Sequence, residues 1–152
     1  MSIFDAETFM AATTTETNDT TVQPVPPGEY QAQIEKLDFR TINGKDGSDK
    51  YALDVTYDIL DDSVKSALGR DKVTARQTVW IDLTSQGQID TGKGKNIGLG
   101  KLRAAAGFNQ AGQAFAPAML NGAIVKIVTG LRADRNDPSI QYTDVKTVGS
   151  AN

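Results

Sequence analysis

The chain has 152 residues, 16 Lys and Arg against 19 Asp and Glu, and neither histidine nor cysteine. Disulfides, thiolate metal sites and cysteine nucleophiles are therefore excluded, as are the commonest general base, the usual zinc ligand and every Ser-His or Cys-His pair. No apolar run approaches the roughly 20 residues of a membrane span, and MSIFDAETFM lacks the basic start of a signal peptide, so we expect a soluble protein that is not an enzyme and has no cofactor, metal or membrane partner.

The first 35 residues hold six acids and no Lys or Arg, which leaves 16 bases against 13 acids in the remainder. Residues 11–22, AATTTETNDTTV, are too polar to bury a core of their own. With the extended stop PVPPG after them, they make residues 1–27 an acidic arm and place the folded domain at 28–149, followed by a short tail at 150–152. An acidic arm on a basic body is read either as a regulator of polyanion binding or as a solvated tail. Phe4, Phe9 and Met10 stand ahead of the polar tether, an arrangement suited to docking on a partner or on a neighbouring subunit.

From Tyr30 the apolar residues alternate: Tyr30, Ala32, Ile34, then Leu37 and Phe39. The slip at Glu35-Lys36 predicts a β-bulge. A loop over 41–50 leads to a second strand, with Tyr51, Leu53, Val55, Tyr57 and Ile59 on its core face. DDSVKSALG (61–69) predicts one or two helical turns, capped by Asp61 or Asp62 and stopped by Gly69. In the third strand, 73–83, Val73, Ala75, Val79, Ile81 and Leu83 share one face, while Thr74, Arg76, Thr78 and Trp80 share the other.

Next comes GQIDTGKGKN, in which Gly87, Gly92 and Lys93 fit the phosphate-loop pattern G-x-x-x-x-G-K. The hydroxyl that should follow, to hold Mg²⁺, is replaced by Gly94, and the flanking strands read as antiparallel rather than as the parallel sheet such a loop requires. The stretch is read either as a basic approach that meets phosphates through Lys93 and Lys95, or as a glycine-rich connector. A helix over 96–108 should turn Ile97, Leu102, Ala105 and Ala106 inward and end at Gly107. Strands at 123–131 and 140–148 close the chain, joined by the turn-rich RADRNDPS. Three strands, a helix and two strands is the order of an OB-fold, so the expected fold is mainly β, a five-stranded OB-like Greek-key barrel with an N-terminal arm.

Three segments carry a resemblance: PVPPGEYQAQIEKLDF, GKGKNIGLGKLRAAAGF and LNGAIVKIVTGLRADRNDPSIQYTDVKTV. Together they resemble a family of small phage proteins, often described as a phage domain of unknown function, whose members have been linked to single-stranded-DNA binding. The resemblance implies a phage protein that binds single-stranded DNA without sequence preference in replication or recombination, in the host cytoplasm.

On an OB-fold the strand would cross the face of strands two and three, between the loops joining strands one–two and four–five. That geometry nominates Lys45 and Lys50 in the first loop and Arg132 and Arg135 in the second for backbone contact, and Arg76 is a further nucleic-acid candidate on the same face of strand three as Trp80. Trp80 is either a stacking platform or a core residue, and the core reading is favoured for Tyr51 and Tyr57. Ordinary surface charge is the competing reading for the four bases, because Asp46, Asp49, Asp134 and Asp137 are interleaved with them. A second function class also fits: a virion protein that decorates or cements a capsid through its arm. Either role allows a homo-oligomer, and the arm is equally suited to a replication partner.

Overall fold

The computed structural model describes residues 5–18, 23–45 and 47–151. Five strands, β1 (Gly28–Asn43), β2 (Asp49–Ile59), β3 (Thr74–Ile81), β4 (Ile124–Ala133) and β5 (Gln141–Ser150), form one sheet in the order β3-β2-β1-β4-β5. Every ladder is antiparallel. β1 is the long central strand: its first part pairs with β4, and most of its length pairs with β2. The sheet curls enough to bring its two edges, β3 and β5, within 8 Å between Cα atoms, although no ladder joins them among the described residues.

The curl has a local cause. The pairing of β1 with β2 slips between Ile34 and Lys36, as the sequence predicts, and the unpaired residue bends the strand. Ala32 and Ile34 point into the core before the slip, and Leu37 packs against it afterwards. On β2, Leu53, Val55, Tyr57 and Ile59 are all buried. The Tyr57 hydroxyl donates to Gln77 Oε1 at 2.6 Å, which gives the phenol a partner inside the apolar layer. Burial raises its pKa well above the usual tyrosine value.

Helix α2 (Asp62–Leu68) starts where the Asp61 carboxylate accepts from the Ser63 and Val64 amides. It ends at Gly69, whose φ of 63° is costly for any side chain. Helix α3 (Ile97–Ala106) covers the sheet and buries Leu99, Leu102 and Ala105. This corrects the expected phase, since Ile97 is 57% exposed and Leu99 takes its place. The packing agrees: a Cβ on Gly98 would come within 3.3 Å of Val79 on β3, so the helix runs close against the sheet at that turn. Truncating Leu102, which is fully buried, to alanine should cost about 2–5 kcal/mol.

The chain joins this core ahead of β1. Val25 is buried, its amide donates to Thr143 Oγ1 on β5 at 2.6 Å, and the Pro26 carbonyl accepts from the Tyr30 hydroxyl. Upstream lies a six-residue helix, α1 (Ala6–Ala11), capped by Asp5 through the Thr8 amide. None of its residues is buried.

Candidate nucleic-acid interface

The face of the β1-β2-β3 meander that points away from the core carries three cross-strand rows: Arg40–Ala52–Trp80, Asp38–Asp54–Thr78 and Lys36–Thr56–Arg76. Ala52 is fully buried between two large neighbours, and Asp54 is only 8% exposed. Trp80 is 56% exposed, so the structure puts it on the surface and not in the core.

Where β3 and β5 approach, this face deepens into a groove of about 960 Å³. Four arginines line it: Arg40 from β1, Arg76 from β3, Arg132 from β4, and Arg70 from the turn after α2. Asp54 and Tyr142 also stand in its wall. Arg40 is engaged, with Nε 2.6 Å from Asp54 Oδ2, while the Thr78 hydroxyl donates to Asp54 Oδ1 at 2.9 Å. Burial works to raise the Asp54 carboxyl, but Thr78, Arg40 and the charge of Arg76 together hold it below the usual carboxylate range. The other groove carboxylate, Asp144, is 3.1 Å from Lys146 Nζ. With both acids matched, Arg70, Arg76 and Arg132 form no ion pair among the described residues. Their charge is in excess.

An aromatic surface adjoins it. The Arg132 guanidinium lies 5.3 Å from the Tyr142 ring centroid, and the Tyr142 hydroxyl donates to Asp134 Oδ2 at 2.8 Å. That hydrogen bond raises the phenol's pKa and is the leading cause of the lowered Asp134 value. Asp134 also accepts from the Asn136 and Asp137 amides, and Asp137 from the Ser139 amide and hydroxyl. Both acids of the loop between β4 and β5 are therefore spent on holding the turn.

The nominated residues divide. Arg76 and Arg132 meet in the groove, while Trp80, on the same face, borders a neighbouring depression with Lys50. Lys50 and Arg132 lie on strands β2 and β4 and not in the expected loops, because the hairpins extend further: Lys50 pairs with Ile42 and Arg132 with Tyr142. Lys45 and Arg135 do occupy the loops, both exposed, with Asp49 at the start of β2 and Asp46 outside the described residues. Tyr57 is core, whereas Tyr51 leaves it and stacks on Phe39 with centroids 5.8 Å apart. Three groove residues, Arg40, Arg70 and Tyr142, stand outside the sequence-based expectation. A signal for Arg40 is present in the sequence, since a bulge at 35–36 reverses the parity of everything after it on β1.

Lys93 and Lys95 stand apart from the groove. Lys95 borders a depression along α3 with Lys101 and Arg103. Their loop is tied up internally. Gly87, at φ 79°, sits in a hairpin turn closed by the Thr84 amide on the Gln88 carbonyl, with Leu83 bridged to Ile89. The Gly92 amide donates to Asp90 Oδ1 at 2.9 Å, so a carboxylate already fills the place a phosphate would need. Asn96, buried at φ 53°, knots the segment: its amide donates to Asp82 Oδ2, its Oδ1 accepts from the Asp82 amide, and its Nδ2 reaches the carbonyls of Asp82 and Asp90. This is a folded connector and not a phosphate cradle.

On α1, Phe9 and Met10 are 75% and 80% exposed, and Phe4 lies outside the described residues. Among the described residues no three His, Cys, Asp or Glu side chains are grouped to hold a metal, and no helix is long and apolar enough to cross a membrane. No known family model matches the chain, and no curated protein matches it.

Proposed function

We propose that the chain is a phage single-stranded-DNA-binding protein built on an OB-like barrel whose β3 and β5 edges complete the closure, and that the strand lies in the arginine groove. The observation that carries this reading is the excess of three guanidiniums, from Arg70, Arg76 and Arg132, that have no ion-pair partner among the described residues, on a surface that also exposes Tyr142 and Trp80. Guanidiniums supply salt-dependent, sequence-independent attraction to phosphates. Exposed rings add base stacking worth about 1–3 kcal/mol each, and any base can stack. The strand order suits an OB-like barrel, because β1 pairs on one side with β2 and on the other with β4. The resemblance of the three sequence segments to phage proteins points the same way.

The test is a titration with fluorescent oligo-dT, following anisotropy and Trp80 emission. Binding that weakens steeply with salt and quenches the tryptophan is the expected result. Absence of binding at low salt removes the proposal.

A second reading, a capsid decoration protein, rests on the exposed Phe9 and Met10 of α1. It predicts that the protein copurifies with virions and is lost from them on Phe9→Ser.

A further inference from the structure

The arginine groove has an acidic segment tethered at its mouth. Gln23 and Pro24 line the groove, and Arg70 Nη2 donates to the Gln23 carbonyl at 2.9 Å, so the N-terminal arm is rooted against one of the four arginines. Upstream, residues 5–18 carry Asp5, Glu7 and Glu16 and no Lys or Arg. None of these three forms an ion pair among the described residues. An extended chain covers at most about 3.3–3.6 Å per residue, so the seven residues from Gln23 back to Glu16 span up to about 23–25 Å. That is enough to lay Glu16 along the groove, with the carboxylates of α1 beyond it. The chemistry matches: carboxylates pair with guanidiniums bidentately, as phosphates do.

We propose that the acidic arm, residues 5–18, is an intramolecular ligand of the arginine groove that competes there with nucleic acid. The proposal rests on the single-strand reading of the groove and adds its regulation. Tethering keeps the arm at an effective concentration in the millimolar range, so weak carboxylate contacts suffice to compete. Long single strands, which engage more phosphates than the arm has acids, displace it, whereas short ones do not. The arm thereby sets a minimum length for productive binding.

The experiment compares the full chain with the variant Asp5→Asn, Glu7→Gln, Glu16→Gln. Asn at position 5 keeps the cap of α1, so the helix is preserved while its charge is removed. The first readout needs no DNA: amide and arginine Nε–H resonances by NMR at low salt. Neutralising the arm should shift Arg76, Thr78, Arg132 and Tyr142. The shifts should vanish at about 0.5 M salt, where screening is strong, and in an Arg76→Gln, Arg132→Gln background. Unmoved resonances overturn the proposal whatever DNA does. The second readout is oligo-dT affinity: the neutralised variant should bind a short oligonucleotide about tenfold more tightly at low salt, with the difference shrinking as the oligonucleotide lengthens. Equal affinities for short oligonucleotides overturn the competition. Shifted resonances with no oligo-dT binding to either protein leave the arm–groove interaction standing and remove the single-strand reading.

Discussion

Two basic regions of this molecule invite opposite expectations. The segment 82–96 concentrates glycine and lysine in a few consecutive residues, yet its backbone is folded back on itself through Asn96, Asp82 and Asp90. The groove draws Arg40, Arg70, Arg76 and Arg132 from four separate parts of the chain and leaves three of them without a carboxylate among the described residues. Density of charge along a sequence is thus a poor guide to where charge is available in space. What matters is where the fold gathers the charges: Lys93 and Lys95 form no ion pair among the described residues either, but neither lines the groove. Three of the groove arginines stand on paired strands, whose ladders fix their positions, and among the described residues only Arg40 of the four is within ion-pair distance of an acid.

The contrast is sharpened first by stability. Asn96→Ala removes a buried side chain that makes three hydrogen bonds and leaves alanine at a positive φ. The expected loss is about 2–4 kcal/mol, read as a lowered midpoint in denaturant unfolding. A change below about 0.5 kcal/mol, the size expected of an ordinary surface site, would mean that the segment is not the knot described.

Binding separates the two regions directly. Arg76→Gln with Arg132→Gln should weaken oligo-dT binding about 10- to 100-fold and lower the salt slope by about 1.4, near 0.7 for each single-strand phosphate no longer neutralised. A slope equal to that of the parent would show that phosphates do not meet these arginines. Trp80→Ala comes next, with a loss of about 1–3 kcal/mol of binding and an unchanged unfolding midpoint, because the ring is mostly exposed. Asp54→Asn should act in the opposite direction on binding, since it frees Arg40, while costing about 1–3 kcal/mol of stability through the missing charged hydrogen bonds. Its pH dependence has a definite sign. The folded carboxyl titrates below the ordinary range, so the stabilisation is present above about pH 4 and is lost as the pH falls through the lowered folded value. Parent and variant should therefore converge in acid. The smallest effect belongs to Lys93→Gln with Lys95→Gln, for which less than about twofold is expected, as for rim charges remote from a binding site. A larger loss would restore the glycine-lysine segment to the binding surface.

Much of the fold is legible in the sequence because it is written in short-range patterns. Alternation marks the strands, the slip at Glu35-Lys36 marks the bulge, and Asp61 and Gly69 bound α2. The helix phase is ambiguous at Ile97 because Leu99 follows two residues later, and the close approach at Gly98 that agrees with the observed phase is a tertiary fact. The site is legible only residue by residue. Arg76 and Trp80 can be placed on one face of β3, but the encounter of that face with Arg132, Arg70 and Tyr142 depends on the curl that brings β3 to β5. Lys50 and Arg132 read as loop residues because polar hairpin ends look like loops until the pairing register is known.

The bulge in β1 has a consequence for length variation. A strand is a two-stroke pattern, and one added residue delays it by a single stroke. Ahead of the slip, even-numbered residues face the core. Past it, Leu37 and Phe39 oppose Val55 and Leu53 on the core side, while Arg40 opposes Ala52 on the groove side. Deleting Glu35 would remove the extra residue and make the ladder regular, with Lys36 following Ile34 opposite Thr56 and Tyr57 and every later residue keeping its side. Deleting Asp38 instead, in the regularly paired run, would deliver Phe39 to the groove side and turn the guanidinium of Arg40 from Asp54 toward the apolar layer. A single codon lost there would scramble a surface and a core together, whereas one lost at the bulge would only straighten the strand.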